Sequence, residues 1–190
     1  MGPTPAPTEP AFSAALAAAA APGPGRSDAF EHLLRPLLFP LVRYLRAQVG
    51  DATDDLVDEV LLAVWEHLGR FHGYESQFRS WVFAIAHNRV VDHHRRRRED
   101  QPLDRVATHR AADDTESEAI ARVGVGELDR VLAALAPAQR QVLLLRAVAD
   151  LSIEQTAAVL GRSAGAVKAL QHRAIEAARL KIQEASGHGR

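Results

Sequence analysis

Apolar residues in this chain recur at intervals of three and four residues, and this spacing limits its fold more than any other feature. A period near 3.6 residues places such side chains on one face of an α-helix. From Asp28 onward the series runs through Phe30, Leu33, Leu34, Leu37, Leu38, Leu41, Val42 and Leu45. We predict a first helix here with Asp28 as its N-cap, and leave open whether Pro36 and Pro40 kink it or divide it.

The same spacing predicts two further helices in the first half of the chain. The second has an apolar series over residues 56–68. Its first turn is acidic, as the helix dipole favours, with Asp51, Asp54 and Asp55. The third helix runs from about residue 76 to about residue 97, and one face carries Phe78, Trp81, Val82, Ile85 and Ala86. At 1.5 Å per residue it is about 30 Å long, so we expect its end, with the run Arg95–Arg98, to stand in solvent.

The chain divides into two helical parts. Residues 99–123 lack apolar periodicity, and their acidic side chains outnumber the basic ones. Helical spacing resumes at about Gly126, and Pro137 is predicted at the first position of a further helix. We therefore predict an all-α protein of two small helical domains joined by a flexible acidic linker. The predicted parts are a disordered Ala/Pro-rich leader at 1–27, a domain at 28–98, the linker at 99–123, a domain at 124–184 and a tail at 185–190.

The composition excludes several classes of function. The formal net charge is −1, so attraction to a polyanion has to come from local clusters. Cysteine is absent, which excludes disulfides and thiolate metal sites, and His87, His93 and His94 lack a further clustered ligand. The chain has no P-loop, nucleophile elbow or dinucleotide fingerprint, and no apolar run long enough to span a membrane. We expect a cytoplasmic protein without membrane insertion, metal, cofactor or catalytic site.

The second domain contains a helix–turn–helix pattern at residues 151–181. Ser152 and Gln155 form a capping-box pattern that starts one helix, Gly161 can end it in the left-handed conformation, and Ser163 can cap the next. That next helix is predicted to bury Val167, Leu170 and Ala174 and to expose Lys168, His172 and Arg173. In DNA-binding proteins with this layout the second helix enters the major groove. An ordinary helical hairpin with solvated basic residues is the alternative.

In the first domain, polar residues continue the apolar face of the third helix beyond Ile85. They are Asn88, Asp92, Arg95 and Arg96. An asparagine can read a base edge and arginines neutralise phosphates, so this face can read a few bases. The loop before the helix adds Phe71, His72 and Tyr74, rings of the kind on which an unstacked base can rest. A core position is an equal alternative for Phe71, Trp81 is expected in the core, and a solvated helix end would also carry arginines.

These patterns resemble a known family. The segments are DDLVDEVLLAVWEHL, FRSWVFAIAHNRVVDHHRRR and, after the acidic linker, LAPAQRQVLLLRAVADLSIEQTAAVLGRSAGAVKALQHRA. They are similar to regions two and four of bacterial RNA polymerase sigma factors of the sigma-70 family. With these two regions, the chain resembles the extracytoplasmic-function (ECF) subgroup, over about residues 28–184.

The resemblance implies roles for three groups of residues. Core polymerase, through the clamp helices of its β′ subunit, would bind Asp55, Leu56, Asp58, Glu59 and Val60. The minus-10 element would bind the first domain, with a flipped base at Phe71 and Asn88 and the nontemplate strand along Arg89, Asp92, Arg95 and Arg96. The minus-35 element would bind Lys168, His172 and Arg173, with Arg162 and Ser163 near phosphates.

The implied function is promoter recognition, DNA melting and transcription initiation as a subunit of RNA polymerase. The implied partners are core polymerase, with its β′ and β subunits, and promoter DNA. The acidic linker resembles a segment that threads toward the polymerase active-site cleft, and the tether leaves room for an anti-sigma factor that clamps the domains together. Two other interpretations stay open: a stand-alone helix–turn–helix regulator that binds duplex operators as a dimer, and an interaction module whose basic patches meet an acidic protein.

Overall fold

The computed structural model describes residues 9–99 and 125–187, and every regular element within these ranges is helical. The all-α prediction is therefore confirmed for this part of the chain. The helices are α1 Glu9–Ala20, α2 Arg26–Val49, α3 Thr53–His67, α4 Glu75–Glu99, α5 Val125–Ala134, α6 Pro137–Leu143, α7 Ile153–Leu160 and α8 Ala164–Gly187. Short 3₁₀ turns at Gly50–Ala52 and Leu68–Arg70 flank α3, and a π-helical turn at Leu144–Val148 extends α6. Apart from Glu99, the predicted linker lies outside the described residues.

Helix α1 occupies part of the leader, for which the sequence predicts disorder. Seven of its twelve residues are alanine, the strongest helix former. Phe12 and Ala19 are buried, and α1 packs against α2. The structure therefore differs from the expectation over residues 9–20, because two isolated buried side chains leave no periodic signal. Residues 1–8 lie outside the described residues.

Helix α2 is continuous through both of its prolines. Pro36 and Pro40 lie inside it, and Leu33, Leu37 and Leu41 are buried along one face. Proline removes one backbone hydrogen bond from a helix, but burial of this face favours a single element. The open question of one helix or two is thereby answered.

The start of α2 differs from the prediction. The helix begins at Arg26, and Gly25, in the left-handed conformation at a φ of 86°, is its N-cap residue. The assignment of Asp28 as N-cap is wrong, because the glycine turn after α1 determines where the chain enters the helix. Asp28 lies in the first turn, where a negative charge still suits the helix dipole.

Helices α2, α3 and α4 form the core of the first domain. Asp54 and Asp55 lie in the first turn of α3, as predicted, whereas Asp51, predicted there too, lies in the 3₁₀ turn before the helix. The buried rings of Tyr44 in α2 and Phe83 in α4 meet edge to face, with centroids 5.6 Å apart. The buried residues of α4 are Phe78, Val82, Phe83, Ala86 and Val90. Because burial ends there, the last turns of α4 extend beyond the core, and Arg95–Arg98 are exposed as predicted.

In the second domain, Arg140 joins α6 to the end of α5. Its guanidinium donates hydrogen bonds to the backbone carbonyl oxygens of Leu132 at 2.8 Å, Ala133 at 2.8 Å and Leu135 at 3.3 Å. The last carbonyls of a helix have no partner within it, so Arg140 satisfies the C-terminal end of α5. Pro137 opens α6, as predicted.

The two domains pack against each other. Helix α4 contacts α7, and α2 contacts the π-helical turn. Gln155 Nε2 donates to the carbonyl oxygen of Ser76 at 2.9 Å, and Arg79 Nη1 donates to that of Ala149 at 3.4 Å. One apolar cluster includes residues of both domains, such as Val159 of α7. The sequence predicts two tethered domains and contains no local signal for this interface.

Candidate nucleic-acid interface

A row of polar residues continues along α4 beyond its apolar part. Asn88 is exposed and follows Trp81 by seven residues, about two helical turns or about 10 Å along the axis. One turn further on, Asp92 Oδ1 and Arg95 Nη2 form an ion pair at 3.3 Å. The side chains of Arg95 and Arg96 are 68% and 54% exposed. This row can meet a polyanion without rearrangement of the helix.

The loop before α4 packs Phe71 onto that helix. The centroid of its ring lies 5.3 Å from that of Phe78 and 5.2 Å from that of Trp81. Phe78 is buried, Phe71 and Trp81 are half-buried, and His72 and Tyr74 are exposed. Phe71 therefore lies at the edge of the core and keeps part of its surface in solvent, so the core position expected as one alternative is only partly met. Trp81, expected in the core, also lies at its edge.

Glu59 of α3 faces the basic residues of α4. Its carboxylate oxygens lie 3.7 Å from Arg89 Nε and 3.7 Å from Arg96 Nη2. All three side chains are partly exposed, so each pair contributes at most about 1 kcal/mol. Arg89 and Arg96 are seven residues apart and therefore already lie on the same side of α4, where the one carboxylate contacts both guanidinium groups. No sequence pattern indicates this contact, since the two helices meet only in the fold.

The remaining α3 residues predicted to bind the polymerase fall into two groups. Asp55 and Asp58 are exposed, whereas Leu56 and Val60 are buried, at 2% and 0% exposure. A partner on this face can touch the two carboxylates directly. The two apolar side chains are out of reach of a partner, so they can contribute only by packing α3 onto the core.

The histidines of α4 are held in the neutral form near pH 7. His87 Nδ1 lies 3.1 Å from the hydroxyl of the buried Tyr44. Burial lowers the pKa of His87 and raises the pKa of Tyr44. The pKa values of His93 and His94 are lowered as well, first by burial and then by neighbouring cations that include Arg97. The positive charge of α4 therefore comes from its arginines.

The turn between α7 and α8 has the local geometry that the sequence predicts. Ser152 Oγ accepts from the backbone N–H of Gln155 at 3.1 Å, and Gln155 Oε1 accepts from that of Ser152 at 2.7 Å, which completes a capping box. Gly161 ends α7 with a φ of 60°, and Ser163 Oγ accepts from the backbone N–H of Ala166 at 3.2 Å. These bonds fix the direction in which α8 leaves the turn.

Helix α8 presents a basic face to solvent. The exposed polar residues at the turn and along this face are Arg162, Ser163, Lys168, His172 and Arg173. Val167 and Ala174 are buried, as predicted, and Leu170 is half-buried. Arg146 donates to Gln171 Oε1 at 3.3 Å and to the carbonyl oxygen of Leu151, so it ties α8 to the segment that starts α7. The sequence predicts the basic face but not these hydrogen bonds of Arg146.

Two further properties concern only the described residues. Within residues 9–99 and 125–187, no three His, Cys, Asp or Glu side chains come close enough together to hold a metal ion. None of the helices in these ranges combines the length and the apolarity needed to cross a bilayer.

Comparison with known proteins assigns both halves of the chain. Residues 29–99 match sigma-70 region 2, and residues 126–177 match sigma-70 region 4. The ECF RNA polymerase sigma factor SigD of Mycobacterium tuberculosis (strain ATCC 25618 / H37Rv) is 34% identical over 161 residues, which cover 80% of this chain and 76% of SigD. The chain belongs to the sigma-70 family. The resemblance seen in the sequence is thereby confirmed.

Other relatives of this sigma factor carry the same family name. The ECF RNA polymerase sigma factor SigF of Caulobacter vibrioides is 36% identical over 149 residues, covering 77% of this chain and 79% of SigF. The ECF RNA polymerase sigma factor BldN of Streptomyces coelicolor is 32% identical over 159 residues, covering 80% and 59%. The family match begins at residue 29, so α1 precedes it.

Solved structures share the fold of this sigma factor. CnrH, in complex with the cytosolic domain of CnrY, has a TM-score of 0.66 at 25% identity and covers 92% of this chain and 98% of its own. RpoE of Bartonella quintana, in complex with the anti-sigma factor NepR, has a TM-score of 0.62 at 22% identity, covering 81% and 96%, and shows the fold alone. The two family regions and the curated relatives at 34% and 36% identity show a promoter-directing sigma factor of RNA polymerase.

Proposed function

We propose that the first domain of this sigma factor captures an unpaired base of the minus-10 element at Phe71 and Asn88. The observation that carries this proposal is the half-buried ring of Phe71 against Trp81, with the exposed Asn88 about two turns further along α4. The amide of asparagine offers a donor and an acceptor to a base edge. A partly exposed ring adds a stacking surface worth about 1–3 kcal/mol per base.

The nontemplate strand then follows the polar row of α4. The residues proposed to lie along it are Arg89, Asp92, Arg95 and Arg96. Repulsion among the clustered arginines is relieved when phosphates replace water and counterions around them. Each phosphate neutralised on a single strand changes the log–log salt slope by about 0.7. The contact of Glu59 with Arg89 and Arg96 supports this proposal, because it holds both guanidinium groups near one another in partly exposed positions.

The second domain binds the minus-35 element in the major groove. Lys168, His172 and Arg173 are exposed on α8 and face the bases, whereas Arg162 and Ser163 lie at the turn and face phosphates. The support for this arrangement is the capped turn, which sets the angle of α8 through backbone bonds and leaves its basic side chains unburied.

Core polymerase binds the acidic face of α3. Asp55, Asp58 and Glu59 supply charge for the clamp helices of the β′ subunit, and the buried Leu56 and Val60 hold the helix in place. The β subunit is a second contact within the same assembly. The chain serves as a specificity subunit in the cytoplasm without a catalytic centre of its own. An anti-sigma factor is a further proposed partner, because relatives such as the RpoE of Bartonella quintana were solved with one.

Runoff transcription with purified core polymerase and genomic DNA fragments tests this function. We expect new transcription start sites that depend on the chain, and comigration of the chain with core polymerase. A chain that binds duplex operators tightly by itself, without comigration and without specific transcripts, would instead be a stand-alone regulator.

Asn88→Ala tests the base pocket. We expect promoter melting, followed by 2-aminopurine fluorescence in the minus-10 element, to fall about tenfold, because one base-reading amide is lost. Binding to core polymerase should be unchanged. The matched control is His32→Ala, an exposed polar residue of α2 outside the row. Equal losses of melting and of core binding would contradict the assignment.

A further inference from the structure

Helix α1 has no role in the function proposed above, and it precedes the family match that begins at residue 29. It packs along α2 and also contacts the turn Leu68–Arg70. That turn leads directly into Phe71, whose backbone N–H donates to the carbonyl oxygen of Leu68 at 3.0 Å. Helix α1 therefore touches the segment that determines where the ring of Phe71 lies.

Phe12 connects α1 to the aromatic cluster around Phe71. It is 2% exposed and lies in a cleft with Leu33, Leu37 and Phe78. The ring centroids of Phe12 and Phe78 are 5.6 Å apart, and Phe78 lies 5.3 Å from Phe71. A continuous series of ring contacts thus runs from α1 to the proposed pocket.

The other end of α1 is also fixed to the first domain. Arg26 Nε donates to the carbonyl oxygen of Ala19 at 3.0 Å, and its guanidinium carbon lies 3.9 Å from the ring centroid of Trp65. The chain reverses between α1 and α2 through Gly23 and Gly25, both with positive φ. Because α1 is anchored here, Phe12 at its other end is held against the cluster.

We propose that α1 is an intramolecular positioning element for the base-binding pocket, in which Phe12 holds Phe78 and, through it, orients Phe71. This inference rests on the proposed role of Phe71 in binding a flipped base. Protein interiors are close-packed, so removal of the Phe12 ring leaves a space beside Phe78 into which its neighbours shift. Phe71 is half-buried and rests on Phe78 and Trp81, so a shift of Phe78 changes the surface on which its ring lies. A purely stabilising α1 would change the unfolding temperature and leave the DNA affinity of the folded protein unaltered.

The test uses holoenzymes reconstituted with full chains that carry Phe12→Ala, Phe71→Ala or both. Fluorescence anisotropy measures their affinity for a single-stranded oligonucleotide from the nontemplate minus-10 region of a promoter found by runoff transcription. We expect the affinity to fall about tenfold for Phe71→Ala and about threefold for Phe12→Ala. The double variant should match Phe71→Ala, because Phe12 acts through Phe71. Affinity for core polymerase should not change.

The matched control is Leu16→Ala, because Leu16 packs on the same core from α1 through an aliphatic side chain. It should leave the oligonucleotide affinity unchanged. Phe12→Leu replaces Phe12→Ala if the alanine variant does not fold at the assay temperature, and a smaller loss is expected for it. The inference is overturned if Phe71→Ala weakens binding and the Phe12 variants do not, or if Leu16→Ala weakens it equally. No effect of Phe71→Ala would instead refute the proposed pocket.

Discussion

At the scale of single residues, Arg140 donates hydrogen bonds both to the C-terminal end of α5 and to a helix of the first domain. Besides its three bonds to the end of α5, its Nη1 donates to the carbonyl oxygen of Ala47 in α2 at 3.4 Å. Burial lowers the pKa of Arg140, but a guanidinium stays protonated in the physiological range. Replacement by an uncharged side chain would therefore remove the side-chain donor from four backbone carbonyl groups, three of them in partly buried bonds.

We expect Arg140→Met to lower the free energy of unfolding by about 2 kcal/mol, because hydrogen bonds to a charged group are lost at partly buried carbonyls. Urea denaturation followed by circular dichroism measures this change. Arg130→Met is the control, since Arg130 is exposed on α5. Equal destabilisation by both variants would show that helix propensity, and not the cap, is responsible.

His87 makes the stability of the first domain depend on pH. Its pKa is lowered in the fold, so the unfolded chain binds more protons below the ordinary histidine pKa of about 6.5. The contribution is fully present above about pH 6.5 and is lost as the pH falls toward the folded pKa. His93 and His94 act in the same direction.

Urea midpoints measured from about pH 7.5 down to about pH 5.5 should therefore fall, and His87→Gln should make the decline shallower. Glutamine retains a hydrogen-bonding partner for Tyr44 but does not titrate. His32→Gln, at an exposed site of α2, is the matched control. A slope that is identical in wild type and His87→Gln would exclude His87 as the cause.

At the scale of helices and turns, the features that the sequence predicted correctly depend on neighbouring residues. The capping box at Ser152 and the left-handed Gly161 act within one turn of chain, and both are found as predicted. The exposed row that begins at Asn88 follows from the helical period alone. The contact of Glu59 with the arginines of α4, and the burial of Phe12, join elements far apart in sequence. No local pattern contains such contacts, so they could not be predicted.

Two glycines of the helix–turn–helix differ in backbone conformation. Gly161 has a φ of 60°, a conformation that an L side chain adopts only with strain, whereas Gly165 is the second residue of α8 and has open space around it. Gly161→Ala should therefore lower the free energy of unfolding by about 1 kcal/mol, and Gly165→Ala should raise it by up to about 1 kcal/mol. Thermal denaturation of both variants without DNA provides the measurement. Changes of the same sign would contradict the assigned turn geometry.

At the scale of the whole molecule, the packed domains leave both proposed DNA-binding faces free. Asn88 of α4 and Lys168 of α8 are exposed, although α4 contacts α7. The domain interface thus fixes the separation of the two faces without covering either. To bind one promoter, the two faces must lie as far apart as the minus-10 and minus-35 elements do. The interface sets that distance, so a polymerase or another partner can regulate DNA binding by holding the domains apart or together.

A substitution in α7 can disrupt the domain interface without altering the core of the helix–turn–helix. Val159 belongs to the apolar cluster shared with the first domain, whereas Ala157 packs with Val167 inside the second domain. A lysine at position 159 would place an unpaired charge in the interface, which is costly unless the domains separate. We therefore expect Val159→Lys to increase the radius of gyration measured by small-angle X-ray scattering. The helical content from circular dichroism should stay the same, because the core of the helix–turn–helix is untouched.

The neighbouring Ala158→Lys is the control for Val159→Lys, since Ala158 is exposed on the same helix and receives the same charge. Its radius of gyration should equal that of the wild type. An unchanged radius for a folded Val159→Lys chain would mean that the domains do not rely on this contact. A lower helical content would mean that α7 cannot be altered on one side without loss of the second domain. If only the Val159 variant expands, the packed arrangement of the two domains depends on the apolar contact that Val159 makes within the shared cluster.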